Sequence, residues 1–548
     1  MTQLPPHESL LQYYQLRNSL IMLLDELAKL SQQRNLTIIA DKYIDGLIPT
    51  SYIVGNTDTL HQLTLRAIVD EEIRQAYKPF RIAVVGEFTR GKTTLLNALL
   101  EQEVLTSDRR PNTATSTILK YGTIPHIRVR YFDSTGLEPL DISTQNLAAD
   151  LVGYTSDGGM DEEKYEALLR GDKKSLAEQI EGVHVWVPSE FLKLRGYELI
   201  DTPGLGSIFD SHQVITYNAI PQMDAVLFLT QFNALIGEGE QVFLGSLREY
   251  VNRFLFVLTK IDLAEKENNP HQAIDKAIDF TRSVLINQVQ LNNPTLYPIS
   301  AIAAVQDNQY HKSGIIQLIE ALDKFISDSS GKGRLLKLYC SANTYHLWLE
   351  QDIQRELGDL SSKIAQLTEV KEKLVSKLNN IEVSKCDLSL LLKAQTQELE
   401  QRLLDGISPL TERKSIFMHN VQLLQNIIKF FLSQIIWDIK SQPMVAPEEL
   451  PLISLPDVSD ITQLNVGNQS ESFFRDWVKS LYLSLEASIN RVVKHYEQMI
   501  SQEILLINEQ HDKLQQRLHI INQHNHNIKN IHQQLESIIS YINITPEI

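Results

Sequence analysis

The sequence predicts an α/β domain, with a mixed, mostly parallel sheet covered by helices on both faces, joined to an elongated all-α bundle. Three observations carry this reading. From about Phe80 to Ile326, short β-rich runs alternate with helical segments, as in a sheet layered between helices. No proline occurs from 299 to 408 or from 457 to 545, and after Gly358 only Gly406 and Gly467 remain. Proline breaks helix interiors and glycine weakens them, so both stretches read as long helices. Finally, Phe474, Trp477, Leu481, Leu485, Ile489, Val492, Tyr496 and Met499 recur in steps of three and four, placing one apolar stripe on one helix face.

In chain order, helices are expected near Glu8–Leu30 and Thr57–Tyr77. Strands follow at Arg81–Val85, His126–Phe132, Val183–Val187, Tyr197–Ile200, Ala225–Leu229 and Phe254–Leu258. The stretch from Arg334 to Leu378 reads as a long helix. The expected division is therefore 1–79 as N-terminal helices joining the bundle, 80–328 as the α/β domain and 329–548 as long helices.

The 548 residues suffice for two to four domains at roughly 100–200 residues each. Charged residues are 22% and hydrophobic residues 43%, which excludes wholesale disorder. The net charge of −17 argues against a dedicated nucleic-acid binder, which needs excess Lys and Arg. Cys340 and Cys386 are too few for a disulfide framework or a four-ligand zinc site; both are expected as buried thiols in a reducing compartment. No basic n-region opens the chain and no run of about 18 apolar residues occurs, so the expectation is a cytoplasmic protein whose membrane contact is peripheral, at the inner face.

Strand Arg81–Val85 leads into Gly86-Glu87-Phe88-Thr89-Arg90-Gly91-Lys92-Thr93, followed by the helical Thr94-Leu95-Leu96-Asn97. This is a Gly-x4-Gly-Lys-Thr phosphate loop in its strand–loop–helix context. Its glycines let the backbone wrap phosphate, and successive N–H groups with the helix N-terminus supply positive potential. Lys92 is assigned to the β- and γ-phosphates and the Thr93 hydroxyl to Mg²⁺. Asp201-Thr202-Pro203-Gly204 follows a strand; Asp201 suits Mg²⁺ through water and the Gly204 N–H suits the γ-phosphate. Thr259-Lys260-Ile261-Asp262 follows another. Asp262 can accept from both guanine N1–H and N2–H₂, whereas adenine would leave the carboxylate unpaired, so GTP and GDP are favoured over ATP. Ser300-Ala301 is placed to touch guanine O6 by its backbone. Within Pro111–Thr117, Thr113 is the first choice for covering Mg²⁺ and γ-phosphate, with Thr115 and Thr117 as spares.

The extended run Gly86–Leu100, Pro111-x-Thr113-Ala114-x-x-Thr117 and Thr259-Lys260-x-Asp262 resemble the dynamin superfamily, specifically bacterial dynamin-like proteins. The motif resemblance covers about 80–301. It implies a phosphate-loop GTPase domain whose two copies dimerise across their nucleotides, often with a monovalent cation. It also implies helices packed as neck and trunk, a membrane-binding tip, and a partner that is a second copy or a related dynamin-like chain. Two departures stand out: Phe88 occupies the place of a polar Gln, and Leu205 the place where small GTPases carry a catalytic Gln. Arg90 is either a trans stabiliser of transition-state charge or, more simply, a surface arginine holding phosphate or a loop acid. A GTP-gated interaction module with little turnover is the alternative function. A ribosome-associated GTPase is disfavoured, because the C-terminal part has no Gly-x-x-Gly loop or basic bias.

The segment 413–440 is apolar and aromatic with a local charge of +3, and the possible tip spans 413–456. Such a segment suits either peripheral lipid contact or bundle core. His511, His519, His524, His526 and His532 on the last helix lack metal-ligand spacing and are expected on a solvated face.

Overall fold

The computed structural model describes residues 4–34, 65–105, 116–132, 136–151 except 145 and 149, 180–202, 220–306 except 235, 312–404, isolated positions between 415 and 433, and 471–543. By internal contacts the chain forms two units, Met1–Leu349 with Asn530–Ile548, and Glu350–Lys529.

The described residues of the first unit contain nine strands: β1 (Phe80–Val85), β2 (Thr117–Tyr121), β3 (His126–Tyr131), β4 (Leu140–Ser143), β5 (Ile180–Val187), β6 (Tyr197–Asp201), β7 (Ala225–Gln231), β8 (Phe254–Thr259) and β9 (Leu296–Pro298). They form one sheet in the order β4-β3-β5-β2-β6-β1-β7-β8-β9. Strand β1 runs parallel to β6 and β7, and β7, β8 and β9 continue the parallel half. Strand β2 is antiparallel to β6 but parallel to β5, and β3 is antiparallel to both β4 and β5. In β6 and β8 every residue is buried, the mark of a strand covered on both faces. Strand β3 alternates buried and exposed residues, so one of its faces meets solvent.

All six expected strands are present. The unforeseen three lack a sequence signal for physical reasons. Strand β4 is a short edge with mostly exposed side chains, β9 has three residues and ends in proline, and β2 begins inside a Thr-rich run that reads as loop. The helices of this unit are α1 (Glu8–Gln33), α2 (Leu65–Ala76), α3 (Lys92–Leu100), α4 (Glu190–Arg195), α5 (Glu238–Ser246), α6 (Pro270–Asn287), α7 (Ala301–Gln306) and α8 (Ile315–Ile326). A five-residue π-helical segment, Ser327–Gly331, carries α8 into the 73-residue helix α9 (Lys332–Leu404). Helix α10 (Glu471–Asn543) has the same length. One core lies where Val85, Phe228, Phe243, Phe256, Leu258 and Leu285 meet, between the parallel strands and helices α5 and α6.

The N-terminal helices are tied into this unit through buried polar groups. Asp323 accepts from Arg195 Nε at 3.0 and 3.1 Å, from the Tyr197 hydroxyl at 2.8 Å and from the His7 N–H at 2.9 Å. Arg195 also donates to the carbonyls of Leu4 and Pro5, both at 3.1 Å. Arg334 of α9 bridges to Asp224 at 2.9 Å and to the Lys78 carbonyl at 2.6 Å.

In the second unit α9 and α10 run antiparallel. Glu400 pairs with Arg475 and Glu356 with Arg517, so numbers rise along one helix as they fall along the other. Leu374, Ile381, Leu388, Leu392 and Leu399 meet Val478, Leu481, Leu485, Ile489, Val492, Tyr496 and Ile500 in steps of three, four and seven.

Two expectations are corrected, and a third is left divided. Both cysteines are exposed, because they fall off the buried stripe of α9. His524 is buried, unlike the exposed His519 and His526, and the His532 ring stacks on His346 of α9 with centroids 5.0 Å apart. Within 413–440, Ile427 packs on the second unit's core while Phe430 is 59% exposed. Most of that segment, including Phe431 and Trp437, lies outside the described residues. No described helix is long and apolar enough to cross a membrane.

Candidate nucleotide-binding site

The site is built where β1, β6, β7 and β8 end. Beyond β1 the chain turns at Gly86, where a Cβ would lie 3.0 Å from the Leu229 carbonyl oxygen. Glycine therefore lets the loop run against β7. Phe88–Arg90 forms a 3₁₀ turn, and Gly91 adopts a φ of 86°, a conformation glycine reaches without strain, before α3 begins at Lys92. Lys92 is buried and curls back over the loop, donating to the Gly86 carbonyl at 2.8 Å and the Glu87 carbonyl at 3.2 Å. Burial pushes its ammonium down, against the charges of Asp201, Glu240 and Glu87. Thr93 and Thr94 follow half-buried in the first helical turn, and Thr89 is exposed.

Asp201 is the last residue of β6 and is buried. Burial pushes its carboxyl up to about 6, with Lys92 opposing. Its Oδ1 has no hydrogen-bond partner, a costly state for a buried acceptor. The next residue, Thr202, bonds the Val84 carbonyl at 2.8 Å and fixes the end of β6 beside β1.

The base corner is equally constrained. Ser300 Oγ donates to Asp262 Oδ1 at 2.7 Å, and the Ser300 N–H bonds the Ser313 carbonyl at 2.8 Å. Gly314 closes this turn at a φ of 78°, where a Cβ would fall 2.2 Å from the Pro298 oxygen. Lys260 stands in the left-handed region, and burial, followed by Arg90, lowers its ammonium. The Thr259 hydroxyl bonds the carbonyls of Arg90 at 2.7 Å and Thr230 at 2.8 Å. It thus ties the base strand to the phosphate loop.

Arg90 is not a surface residue. Its guanidinium is buried and forms a two-pronged contact with Glu240, Nη2 at 2.9 Å and Nε at 3.3 Å, with Glu87 at 3.1 Å as second acid. With its charge met inside the same chain, it is not presented as a trans stabiliser. Glu240 itself was not foreseen from sequence. The available signal was Gly237-x-x-Glu240, a capping-box spacing in which the Glu240 carboxylate takes the Gly237 N–H at 3.0 Å. Thr113, Thr115, Gly204 and Leu205 lie outside the described residues. Thr117 opens β2, paired with both Asp201 and Val183. It is a buried residue of a paired strand.

The residues present fit a nucleotide with Mg²⁺: a glycine-shaped loop, a buried lysine, hydroxyls in the first helical turn, and a buried carboxylate oxygen without a partner. Among the described residues no other cluster of His, Cys, Asp or Glu could hold a metal.

Residues 82–261 match the Dynamin family. The chain carries a GTPase domain of the dynamin family. It is 25% identical over 328 residues to an uncharacterized protein in the xynA 3′ region of Caldicellulosiruptor, covering 59% of this chain and 75% of that one. It is 25% identical to dynamin-like protein 1 of Campylobacter jejuni, covering 38% of this chain and 30% of that one. It is 29% identical to the bacterial dynamin-like protein of Nostoc punctiforme, covering 30% and 22%. The matches to these two named dynamins thus span less than a third of their lengths. A solved structure described as an oligomerised bacterial dynamin pair for long-range sensing and tethering of membranes aligns over 96% of this chain and 82% of that one, at 16% identity and a TM-score of 0.49.

Proposed function

We propose that this dynamin-family chain binds GTP with Mg²⁺ and hydrolyses it, using 80–328 as the GTPase domain and the helices of 1–79 and 329–548 as its neck and trunk. The observation that carries the guanine assignment is the Ser300–Asp262 bond, which steers a carboxylate at the end of the base strand. Asp262 offers guanine the acceptors that its paired N–H donors need and offers adenine none. The phosphate-loop backbone and Lys92 hold the β- and γ-phosphates, and Thr93, Thr113 and, through water, Asp201 hold the metal. When bound, Mg²⁺ neutralises charge on the β- and γ-oxygens. Thr113 and the Gly204 N–H cover the γ-phosphate, and Ser300 with Ala301 borders the base.

No glutamine stands at 88 or 205 to orient the attacking water. We therefore assign completion of the site to a second GTPase domain, from another copy or a related dynamin-like chain, with a monovalent cation as an additional charge. Because Arg90 is engaged with Glu240, the partner domain must supply something other than this arginine. Hydrolysis would then move the helical stalk, and segment 413–440 would contact a membrane from the cytoplasmic side.

GTPase rate measured against protein concentration, with and without anionic liposomes, tests this. A rate per molecule that rises with concentration supports dimerisation, and a further rise with liposomes supports the membrane role. A flat, negligible rate with intact GTP binding would instead favour a GTP-gated interaction module. Phe430→Ser should weaken liposome binding without moving the thermal midpoint, whereas Ile427→Ser should lower the midpoint.

A further inference from the structure

Two buried polar side-chain atoms at the phosphate end of the sheet have no hydrogen-bond partner, Asp201 Oδ1 and Thr117 Oγ1. Their residues are neighbours. Thr117 and Asp201 stand directly opposite each other in the antiparallel β2–β6 pair. Residues so opposed project to the same face, with Cβ atoms about 4.5–5.5 Å apart. Thr117 is 1% exposed and Asp201 3%, so bulk water does not satisfy either. A hydroxyl able to donate and a carboxylate oxygen able to accept thus lie side by side without bonding each other. The ladder holds both backbones in place, and on its other side Thr117 meets Val183, which offers no polar side chain. One shared water would satisfy both atoms. The site already calls for such a water, because Asp201 is the carboxylate that reaches the metal through one.

We propose that Thr117 is a positioning residue of the Mg²⁺ site: its hydroxyl and Asp201 Oδ1 share one water of the ion's hydration shell. This rests on the guanine-nucleotide reading of the site. It separates two threonines by role. Thr113 answers to the γ-phosphate and so acts with GTP alone. Thr117 is fixed in β2 and acts with GDP and GTP alike, because its partner is a metal-held water rather than the terminal phosphate.

The test uses the full chain loaded with fluorescent GDP, and reads the Mg²⁺ concentration at which half of the nucleotide is retained. Thr117→Val keeps the β-branched shape and removes the hydroxyl; Thr117→Ser keeps the hydroxyl. The valine variant should need about tenfold more Mg²⁺, the worth of one hydrogen bond to a charged centre, while its GDP affinity in excess chelator stays at the wild-type value. The serine variant should stay within about twofold of wild type. Should the valine variant not fold, Thr117→Ala makes the same comparison against Thr117→Ser. Wild-type Mg²⁺ dependence in the hydroxyl-free variant overturns the proposal and assigns Thr117 to strand packing alone. So does a serine variant shifted as far as valine. A wild-type protein that binds no guanine nucleotide, or binds it with no response to Mg²⁺, overturns the guanine reading itself and this proposal with it.

Discussion

Replacing Glu240 by Gln probes the most deeply buried charge pair beside the phosphate loop. The side chains of Arg90 and Glu240 are 4% and 0% exposed, and their contact is two-pronged. Burial pushes the Glu240 carboxyl up while Arg90 pulls it down. The short, paired geometry favours the ionised form. Removing one member of such a pair strands the other in a dry environment, at about 3–5 kcal/mol. Glu87, 39% exposed, remains as a second acid for Arg90, and glutamine keeps one acceptor oxygen. The loss should therefore sit at the low end, about 3 kcal/mol. At about 2–4 °C per kcal/mol for a domain of this size, the thermal midpoint should drop by roughly 6–12 °C. The same change should weaken GDP binding, because the Arg90 carbonyl is bonded to Thr259 and a displaced arginine reaches both phosphate loop and base strand. Differential scanning fluorimetry and a fluorescent-GDP titration measure the two effects. The double variant Arg90→Met with Glu240→Leu, which removes both charges, should recover most of the midpoint. A Glu240→Gln protein melting within a degree of wild type would refute the clamp.

Three further expectations follow from the same geometry. Lys92→Ala removes the buried ammonium and should abolish GTP turnover and most nucleotide retention, read by phosphate release and by the GDP titration. Asp262→Ala, which leaves guanine without its acceptor, should weaken GTP and GDP at least about tenfold and ATP hardly at all, so that competition by the two nucleotides converges. Glu72 of α2 is buried, accepts from Ser341 and Tyr345, and has a carboxyl raised by that burial, with Oε2 unpaired. Its folded form holds the proton to higher pH than the unfolded chain does. Its contribution therefore favours folding at low pH and is lost as pH rises through the folded value. Glu72→Gln should raise the thermal midpoint at pH 7–8 and lose that advantage toward pH 4; an equal effect at both ends would contradict it.

What the sequence discloses depends on how local the signal is. Gly86, Gly91, Lys92 and Thr93 are close in the chain, so the task proposed for them is visible in one motif, and in the structure they form one strand–loop–helix turn. Asp201 and Asp262 are announced by apolar strands ending in a fixed short motif. Glu240 lies 150 positions from Arg90, and no local pattern states that the two meet. The same holds for Asp323, whose partners His7, Arg195 and Tyr197 come from three separate parts of the chain. Strand β2 was hidden because threonine serves loops and strands equally, and only pairing with β6 and β5 decides between them. The long helices were legible because absent proline and glycine act over many residues at once. The exposed cysteines and buried His524 were misjudged because composition does not say which face of a helix a residue occupies.

Strand β6 links the two parts of this arrangement that matter most. At its start Tyr197 donates to Asp323, which also receives Arg195 and the His7 backbone and so gathers α1, α4 and α8. At its end stands Asp201, the buried carboxylate of the proposed nucleotide site. The four steps between them span roughly 13 Å of strand at about 3.3 Å each. Every residue of that strand is buried; β1 pairs with all five of its positions and β2 with the last three. A strand packed this way does not bend easily, because any slip breaks ladder bonds and opens the core on both faces. A displacement at the Asp201 end is therefore not absorbed within β6 itself. The Asp323 cluster at the other end consists of directional bonds that join β6 to α4, α8 and the residues leading into α1, with the Arg195–Asp323 pair itself buried.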